Sequence, residues 1–308
     1  MSGPLVSLIM PCYEQEAYIG DALRSAMAQT YRPLEILICD DNSTDRTFAI
    51  IERELSAARC PHPITAHRND RRLGIENYNV LMEKAKGAFI VHAHGDDLSF
   101  PERVARLVEH WQRTGVSLVS SNAIVIDESS RRLGLWFDPQ REFDCSLERL
   151  VRIGGCPTMV GAALAYEREV FDKFGPFDRR RSPIRTDVIL PFRAGLLKGH
   201  SVVAEPLLKF RTHESPTRRL LRRSDLADGP AWEEARTAEA LGQFLYMLDA
   251  LGRARALDRQ NPRLEAVNLA LRKAIVARAQ RWSMARNQLI SDGWRCEWTK
   301  ADHDARTR

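Results

Sequence analysis

The sequence predicts an α/β fold in which a mainly parallel sheet is flanked by helices and followed by a C-terminal helical extension. Short apolar runs rich in branched residues alternate with segments whose apolar residues recur at helical spacing. This alternation implies crossover connections, which give parallel strands with helices on both faces. From about residue 225 only the helical spacing continues. We therefore predict an α/β domain over residues 1–224 and a helical extension over residues 225–308, packed on the domain and frayed at its end.

The elements of the α/β domain follow in order along the chain. Four apolar runs are predicted as buried strands: Leu5–Met10, Glu35–Cys39, Ala88–Ala93 and Val116–Ile126. Apolar residues at helical spacing predict helices over residues 19–27, 48–55, 75–85 and 104–111. The last of these helices has the clearest pattern, with apolar residues at i, i+3, i+4 and i+7.

The rest of the chain is less regular and then wholly helical. Residues 127–185 are rich in Gly, Pro and Arg, and we expect loops there with a short helix at Ser146–Ile153 and a strand near Met159–Tyr166. In the extension, one apolar stripe runs from Trp232 to Leu248 and another from Leu264 to Ala279.

The composition limits the classes of function without selecting one. A net charge of +5 suits anionic small molecules, an anionic membrane surface or nucleic acid. The six cysteines are scattered with no C-x-x-C pair, so neither zinc binding nor a disulfide framework is expected. The N-terminus lacks a signal-peptide pattern, and no apolar run approaches the ~20 residues of a membrane span. We therefore expect a cytoplasmic protein.

Two aspartate pairs follow predicted strands. Asp40-Asp41 ends the second strand and Asp96-Asp97 follows the strand Ala88–Ala93. Taken singly, each pair is also good turn or helix N-cap chemistry. Ligands of open α/β sheets bind beyond the carboxyl ends of the strands, so two pairs at equivalent strand ends indicate one shared site. Carboxylates after a glycine offer hard oxygens to Mg²⁺ or a similar cation, which takes its other ligands from water and substrate phosphates.

These residues carry a resemblance to a known family. The segment PCYEQEAYIGDALRSAMAQTYRPLEILICDDNSTD, then Gly-Asp-Asp after a strand and Pro-Glu-Arg, resembles glycosyltransferase family 2, the inverting enzymes of the GT-A fold. The resemblance runs from about Leu5 to about His213. It implies that Pro11, Tyr13 and Glu14 begin the nucleotide pocket and that Asp41 reads the base. It also implies that Asp96 contacts the donor diphosphate and that Asp97 binds Mn²⁺ or Mg²⁺.

The resemblance implies roles for later residues as well. Asp187, six residues before Arg193 at the start of a predicted helix, corresponds to the family's catalytic base. His213, in FRTH, corresponds to a histidine near the diphosphate. Arg68, Asn69, Asn77 and Asn79 lie where the family usually contacts ribose and diphosphate, although an asparagine on a helix face is as often an ordinary surface residue.

Three positions depart from the family pattern. Glu14 replaces the usual asparagine, His94 replaces an aspartate often found two residues before the metal pair, and Thr186 replaces the glutamate before the base. None of these changes removes the predicted metal ligand or base, so activity is still expected. They do affect the contacts that select the donor sugar.

Two basic clusters, Arg179–Arg181 and the four arginines of residues 218–223, have two interpretations. They form either a solvated surface or a peripheral contact with the inner membrane face or a lipid-diphosphate acceptor. Nucleic-acid binding is not expected, because no aromatic-interleaved basic motif is present.

The predicted function is metal-dependent, inverting transfer of a sugar from a nucleotide-diphosphate donor, UDP-sugar above all, to a hydroxyl of a glycan or lipid-linked glycan. Such a reaction belongs to the synthesis of cell-surface polysaccharides or glycoconjugates. One alternative is a catalytically silent nucleotide-sugar-binding partner subunit. The other is a nucleotidyltransferase, which would ordinarily carry a Gly-rich signature after the first strand, where PCYEQEAY has none.

Overall fold

The structure, a computed structural model, describes residues 3–140, 145–153, 159–178, 186–212, 244, 246–258 and 261–291. His213 and both basic clusters lie outside these residues, as does most of the stripe from Trp232 to Leu248. In the described part of the chain no helix is long and apolar enough to cross a membrane.

One sheet organises the described residues. Its order is β3-β2-β1-β4-β8-β6-β9-β5, with β7 paired to β6 at the side. The strands are β1 (Val6–Cys12), β2 (Leu34–Asp40), β3 (Ile64–Arg68), β4 (Phe89–His92), β5 (Leu98–Ser99), β6 (Leu118–Ile126), β7 (Arg132–Leu135), β8 (Leu164–Glu167) and β9 (His200–Arg211).

Helices cover both faces of this sheet. They are α1 (Ile19–Met27), α2 (Thr47–Ala57), α3 (Asn77–Lys84), α4 (Arg103–Thr114), α5 (Leu147–Ile153), α6 (Arg168–Phe174), α7 (Thr186–Gly195), α8 (residues 246–257) and α9 (Pro262–Ser291). Short 3-10 turns precede α3 and β8. The α/β class with a helical C-terminal region is thus confirmed, as is the start of α7 beside Asp187.

The sheet is mixed, and only its first half is parallel throughout. The pairs β2–β3, β1–β2 and β1–β4 are parallel, and so is β6–β9. The pairs β4–β8, β6–β8, β6–β7 and β5–β9 are antiparallel. The expected mainly parallel sheet therefore describes the N-terminal half. After β6 the next strand, β7, follows without an intervening helix and pairs antiparallel with it, as a short connection permits.

The core forms two layers because successive side chains of a strand point to opposite faces. In β1, Val6, Leu8 and Met10 pack with α1 and α4, whereas Ile9 packs with the layer that holds α3, α5 and α7. Both layers are buried, which explains why the central strands are apolar without alternation. The described residues of the extension belong to the second layer.

Candidate functional site

The carboxyl ends of β1, β2 and β4 meet at one edge of the sheet, because these strands are parallel neighbours. A cleft of about 260 Å³ opens there. It is lined by Pro11, Cys12, Tyr13, Gln15, Asp41, Arg72, Gly74, Asn77, Tyr78, His94 and Asp96. One member of each aspartate pair, Asp41 and Asp96, therefore lines the same cleft.

Asp41 builds one wall of the cleft. Its buried carboxylate accepts hydrogen bonds from the backbone N–H groups of Leu73 (2.8 Å, Oδ1) and Gly74 (2.7 Å, Oδ2) and from the amide of Asn69 (2.9 Å, Oδ1). These donors fix the loop between β3 and α3. A carboxylate has about four acceptor positions, so Asp41 retains capacity for one more donor after the three bonds that hold the loop.

His94, Asp96 and Asp97 form a cluster in which one ligand atom of each residue lies within 4.8 Å of the others. Asp97 is the buried member. Its Oδ1 accepts a hydrogen bond from the backbone N–H of Arg211 (2.7 Å), while its buried Oδ2 has no hydrogen-bond partner among the described residues. Burial, and secondarily the charge of Asp96, raises the pKa of Asp97 well above its usual value.

The unpartnered oxygen of Asp97 indicates whether a metal ion fits the cluster. A buried carboxylate oxygen without a donor is costly, and a cation removes that cost. Two carboxylates and an imidazole around one point are also a chemically suitable ligand set for a divalent cation. The residues present therefore fit a divalent metal, which Asp97, Asp96 and His94 could hold.

Arg211 fastens this cluster to the rest of the sheet. Its guanidinium Nε donates to the backbone oxygen of Asp96 (3.0 Å), and its Nη1 donates to the backbone oxygens of Asp127 and Glu128 (3.0 and 3.1 Å). The guanidinium also lies over the ring of Tyr18, 4.5 Å from its centroid. The end of β9, the turn after β6 and the loop after β4 are thus held together by one side chain.

A chain of polar groups leads from the cluster to α7. His94 Nδ1 lies 3.8 Å from Asp97 Oδ2, and His94 Nε2 shares a 2.9 Å hydrogen bond with the hydroxyl of Tyr78. That hydroxyl is also hydrogen-bonded to the Thr186 side chain. Burial lowers the pKa of His94 and raises the pKa of Tyr78, so both groups are neutral at pH 7.

Gly161 leaves room for this arrangement. A Cβ at Gly161 would lie 3.3 Å from both the His94 ring and the Thr186 hydroxyl. Two of the three departures from the family pattern, His94 and Thr186, are therefore neighbours joined through Tyr78.

Asp187 stands at the second residue of α7 and is partly buried. Its charge adds to the effect of burial in raising the pKa of Tyr78, and it opposes the larger effect of burial, which lowers the pKa of His94. Asp187 is about 90 residues away from the cluster of His94, Asp96 and Asp97 in the sequence. The fold nevertheless brings it to the side of the cleft where this cluster lies.

Two residues with predicted donor contacts, Arg68 and Asn79, do not line the cleft. Arg68 donates to the backbone oxygen of Ser43 (2.7 Å) and pairs with Asp40 at 3.4 Å. Asn79 exchanges two 2.8 Å hydrogen bonds with the backbone of Phe177. Their side chains hold other parts of the fold.

Glu14, which replaces the usual asparagine of the family, has a strained backbone conformation. Its φ of 50° lies in the left-handed region, which asparagine tolerates better than glutamate. Its Oε1 accepts a 3.0 Å hydrogen bond from the hydroxyl of Thr44. The side chain faces the turn after β2, so the departure from asparagine alters the turn beside the cleft.

The cleft also contains residues that sequence reasoning missed. The Arg72 guanidinium lies 4.1 Å from the centroid of the Tyr13 ring. The buried Oε1 of Gln15 has no hydrogen-bond partner among the described residues, and a Cβ at Gly95 would come within 2.4 Å of it. Gly95 is thus required for close packing of the loop after β4. Arg72 lies in no motif or periodic pattern, and Gln15 lies within PCYEQEAY without a role implied by the family, so no signal in the sequence distinguished them.

The fold and the cleft define a class of protein. A crystal structure of S. aureus TarS 1-349 in complex with UDP-GlcNAc is similar with a TM-score of 0.58 at 16% identity, covering 96% of this chain and 93% of that chain. Mannosyltransferase PcManGT from Pyrobaculum calidifontis, in complex with GDP-Man and Mn²⁺, is similar with a TM-score of 0.55 at 19% identity, covering 95% and 81%. This likeness establishes the GT-A fold.

The sequence comparisons give the family. The model of Glycosyl transferase family 2 matches residues 7–175, more than half of the chain, and the chain therefore belongs to glycosyltransferase family 2. Putative glycosyltransferase EpsE of Bacillus subtilis is 31% identical over 128 residues, which are 41% of this chain and 46% of that protein.

A second relative carries a more specific name. The E. coli protein named UDP-Glc:alpha-D-GlcNAc-diphosphoundecaprenol beta-1,3-glucosyltransferase WfgD is 30% identical over 143 residues, 46% of this chain and 54% of that protein. An uncharacterized glycosyltransferase of Nostoc is 26% identical over 213 residues, 68% of this chain and 65% of that protein. The chain thus spans about half to two thirds of the length of these curated relatives.

Proposed function

We propose that this protein transfers a sugar, with inversion, from a nucleotide-diphosphate sugar to a hydroxyl of a glycan or lipid-linked glycan. The observation that carries the proposal is that Asp41, His94 and Asp96 line one cleft at the carboxyl edge of the sheet, with Asp97 in the same cluster as His94 and Asp96 and with Asp187 near enough for its charge to act on His94. The named activity of WfgD favours a UDP-sugar donor and a role in surface polysaccharide synthesis. UDP-GlcNAc in TarS favours the same nucleotide, whereas PcManGT holds GDP-Man.

The nucleotide would lie between Tyr13 and the wall built by Asp41. Tyr13 and Arg72 already form a stacked pair there, so a flat base has an aromatic or guanidinium face to lie on. The remaining acceptor position of Asp41 is available to an imide N–H of uracil, in keeping with the role implied by the family. The charge of Arg72 also suits the diphosphate.

Asp97, with Asp96 beside it, would hold the metal. When bound, a divalent cation neutralises the negative charge that develops on the leaving nucleoside diphosphate. The protein's own contribution is to fix these ligands, which it does through the backbone N–H of Arg211 and the guanidinium of the same residue.

Asp187 would take the proton from the acceptor hydroxyl as that oxygen attacks the anomeric carbon. The acceptor hydroxyl is a poor nucleophile, and a carboxylate within hydrogen-bond reach makes it a better one. The position at the start of α7 is compatible with this role, because the charge of the carboxylate acts on His94 of the cluster.

The test is Asp187→Asn, which keeps the shape of the side chain and removes its basicity. We expect kcat for transfer to fall by ~10²–10⁴, with kcat/KM falling in parallel and UDP affinity unchanged. Release of UDP from a panel of UDP-sugars in the presence of acceptor extract measures transfer, and calorimetry measures UDP binding.

Asp21→Asn is the matched control. Asp21 also stands in the first turn of a helix, α1, but is exposed and remote from the cleft, so its loss should leave transfer unchanged. An Asp187→Asn protein that retains more than about a tenth of wild-type transfer would exclude Asp187 as the base. UDP binding without transfer by the wild type would instead indicate a silent binding subunit.

A further inference from the structure

The two ring nitrogens of His94 have different surroundings. Nε2 is occupied by the hydroxyl of Tyr78 at 2.9 Å, whereas Nδ1 faces the buried Oδ2 of Asp97 at 3.8 Å, too far for a hydrogen bond. Oδ2 has no other partner among the described residues. An imidazole nitrogen and a carboxylate oxygen that face each other without a proton between them leave space for a cation.

The spacing of these atoms agrees with that interpretation. Two ligands that each lie ~2.1 Å from one ion are roughly 3–4 Å apart. The 3.8 Å between His94 Nδ1 and Asp97 Oδ2 falls in this range, and a carboxylate oxygen of Asp96 completes a group within 4.8 Å. The cluster needs only a small closure to surround an ion.

We propose that His94 is a third protein ligand of the metal, through Nδ1, and that it makes the site select transition metals such as Mn²⁺ and Co²⁺ over Mg²⁺. The inference rests on the metal site of the proposed function. Its chemical basis is that an imidazole suits transition metals, whereas Mg²⁺ prefers ligand sets of oxygen alone.

Tyr78 and Thr186 act as positioning residues for this ligand. A histidine that binds a metal usually directs its other ring nitrogen to a fixed partner, which sets the tautomer and the ring orientation. Here the partner of Nε2 is the Tyr78 hydroxyl, itself hydrogen-bonded to Thr186, and the Tyr78 ring packs 4.9 Å from that of His92. An Nε2–H that donates to Tyr78 leaves a lone pair on Nδ1.

The direct test detects nitrogen at the metal. The full-length protein is labelled with ¹⁵N-histidine, loaded with Mn²⁺ and UDP, and studied by pulsed electron paramagnetic resonance. We expect coupling of Mn²⁺ to ¹⁵N, which cannot come from the unlabelled nucleotide. The coupling should disappear in His94→Asp, which replaces the nitrogen ligand with an oxygen ligand. Thermal unfolding confirms that the variant is folded.

Metal affinities provide the second readout. In the presence of UDP, titration calorimetry gives the Kd values of Mn²⁺, Co²⁺ and Mg²⁺ for the wild type and His94→Asp. We expect the preference for Co²⁺ over Mg²⁺ to fall at least about tenfold in the variant. Losing a residue that only supports a metal ligand typically lowers metal affinity by ~10–100-fold, and losing a ligand should cost no less.

A pair of tyrosine variants tests the positioning role. Tyr78→Phe should weaken Mn²⁺ binding by ~10–100-fold while the ¹⁵N coupling persists. Tyr166→Phe is the matched control, since Tyr166 is also buried but its hydroxyl lies 3.2 Å from His92 Nε2 and outside the cluster. It should leave Mn²⁺ affinity unchanged. Equal losses in the two variants would overturn the positioning role.

The outcomes separate this inference from the proposed function. If Mn²⁺ tightens UDP binding but shows no histidine coupling, His94 is not a ligand and the metal site of the proposed function survives. Unchanged metal preference in His94→Asp overturns the selectivity. If no divalent metal binds with UDP or GDP present, the metal site of the proposed function fails together with the inference.

Discussion

At the scale of single residues, the buried carboxyl group of Asp97 should destabilise the metal-free fold while it favours the binding of a metal ion. Its carboxylate is buried with one oxygen unpartnered among the described residues, and burial raises its pKa. An acid whose folded pKa is raised stabilises the fold most when protonated, at a pH below its unfolded pKa of ~3.9. This contribution is lost as the pH rises from that value through the folded pKa. At neutral pH the buried carboxyl group of Asp97 therefore destabilises the metal-free protein.

We predict that Asp97→Asn raises the thermal stability of the metal-free protein at pH 7. Asn keeps the oxygen that accepts from the Arg211 backbone and removes the buried charge. The expected gain is ~1–3 kcal/mol, or roughly 2–6 °C in Tm. Differential scanning fluorimetry with a chelator measures it, and the same variant should lose the stabilisation that Mn²⁺ gives the wild type.

Asp127→Asn is the control for that prediction. Hydrogen bonds from the Arg131 backbone and side chain lower the pKa of Asp127, so removing its charge should give no stabilisation. If Asp97→Asn unfolds at or below the wild-type temperature without metal, the carboxylate has a partner that stabilises it and the cluster is not poised for a cation.

At the scale of elements, a set of contacts on the far side of the cleft holds α7. Asn79 of α3 exchanges hydrogen bonds with the backbone of Phe177, and the Arg193 guanidinium of α7 lies 5.1 Å from the Phe177 ring centroid. Arg193 also donates to the Gly175 backbone oxygen at 2.9 Å. The helix that carries Asp187 is thus tied to the helix that carries Tyr78.

Asn79→Ala tests whether this residue positions α7 or contacts the donor. Loss of its two partly buried hydrogen bonds should destabilise the protein by ~1–2 kcal/mol. A shifted α7 should lower kcat by up to ~10²-fold while UDP affinity is kept. Kinetics with a saturating donor and calorimetry with UDP separate the two effects.

Asn77→Ala is the contrasting variant, because Asn77 lines the cleft and donates to the Cys39 backbone oxygen at 3.0 Å. It should weaken UDP binding. If Asn79→Ala instead weakens UDP binding with kcat unchanged, Asn79 contacts the donor as the family resemblance implied.

The elements also show which patterns the sequence could reveal. The strands β1, β2, β4 and β6 were predicted because they are buried on both faces and are almost wholly apolar. In contrast, β3 has exposed residues at alternate positions near the edge of the sheet, and β5 has only two residues. In β9, Glu205-Pro206 interrupts the apolar pattern where the register with β6 shifts.

The residues of the site also differ in whether the sequence alone could reveal them. Asp41, Asp96, Asp97 and Asp187 stand in short motifs with fixed spacing, so sequence was sufficient to select them as candidates. Tyr78 looked like an ordinary apolar position of a helix, and Arg211 like the neighbour of His213. Their contacts arise only when α3 and β9 meet the loop after β4, which no local pattern encodes.

At the scale of the whole molecule, the C-terminal helices complete the core. Met247 and Leu251 of α8 and Leu264 and Leu271 of α9 are buried in the same cluster as α5 and α7. The hydroxyl of Tyr246 is hydrogen-bonded to both backbone groups of Asp178. The described part of the extension is therefore a component of the second core layer, although the predicted boundary at residue 225 stays a prediction.

Two leucines of α9 give a matched test. Leu271 is 0% exposed and Leu269 is 56% exposed. Leu271→Ala should cost ~2–5 kcal/mol, because it leaves a cavity beneath α9. Leu269→Ala should change stability by less than ~0.5 kcal/mol. Urea unfolding of both variants measures the difference, and similar values for the two would show that α9 does not pack on the domain as described.

This arrangement has a consequence for synthesis of the chain. The ribosome releases α5 and α7 before it makes the helices that cover them, so the apolar side of the layer beneath α7 is open while residues beyond 212 are translated. Domains fold from the N-terminus as they emerge. The parallel half of the sheet can therefore form early, whereas α7 packs fully only after the C-terminal helices are made. A nascent chain stalled before residue 244 should accordingly have a protease-resistant β1–β4 region and an α7 that is still cleaved.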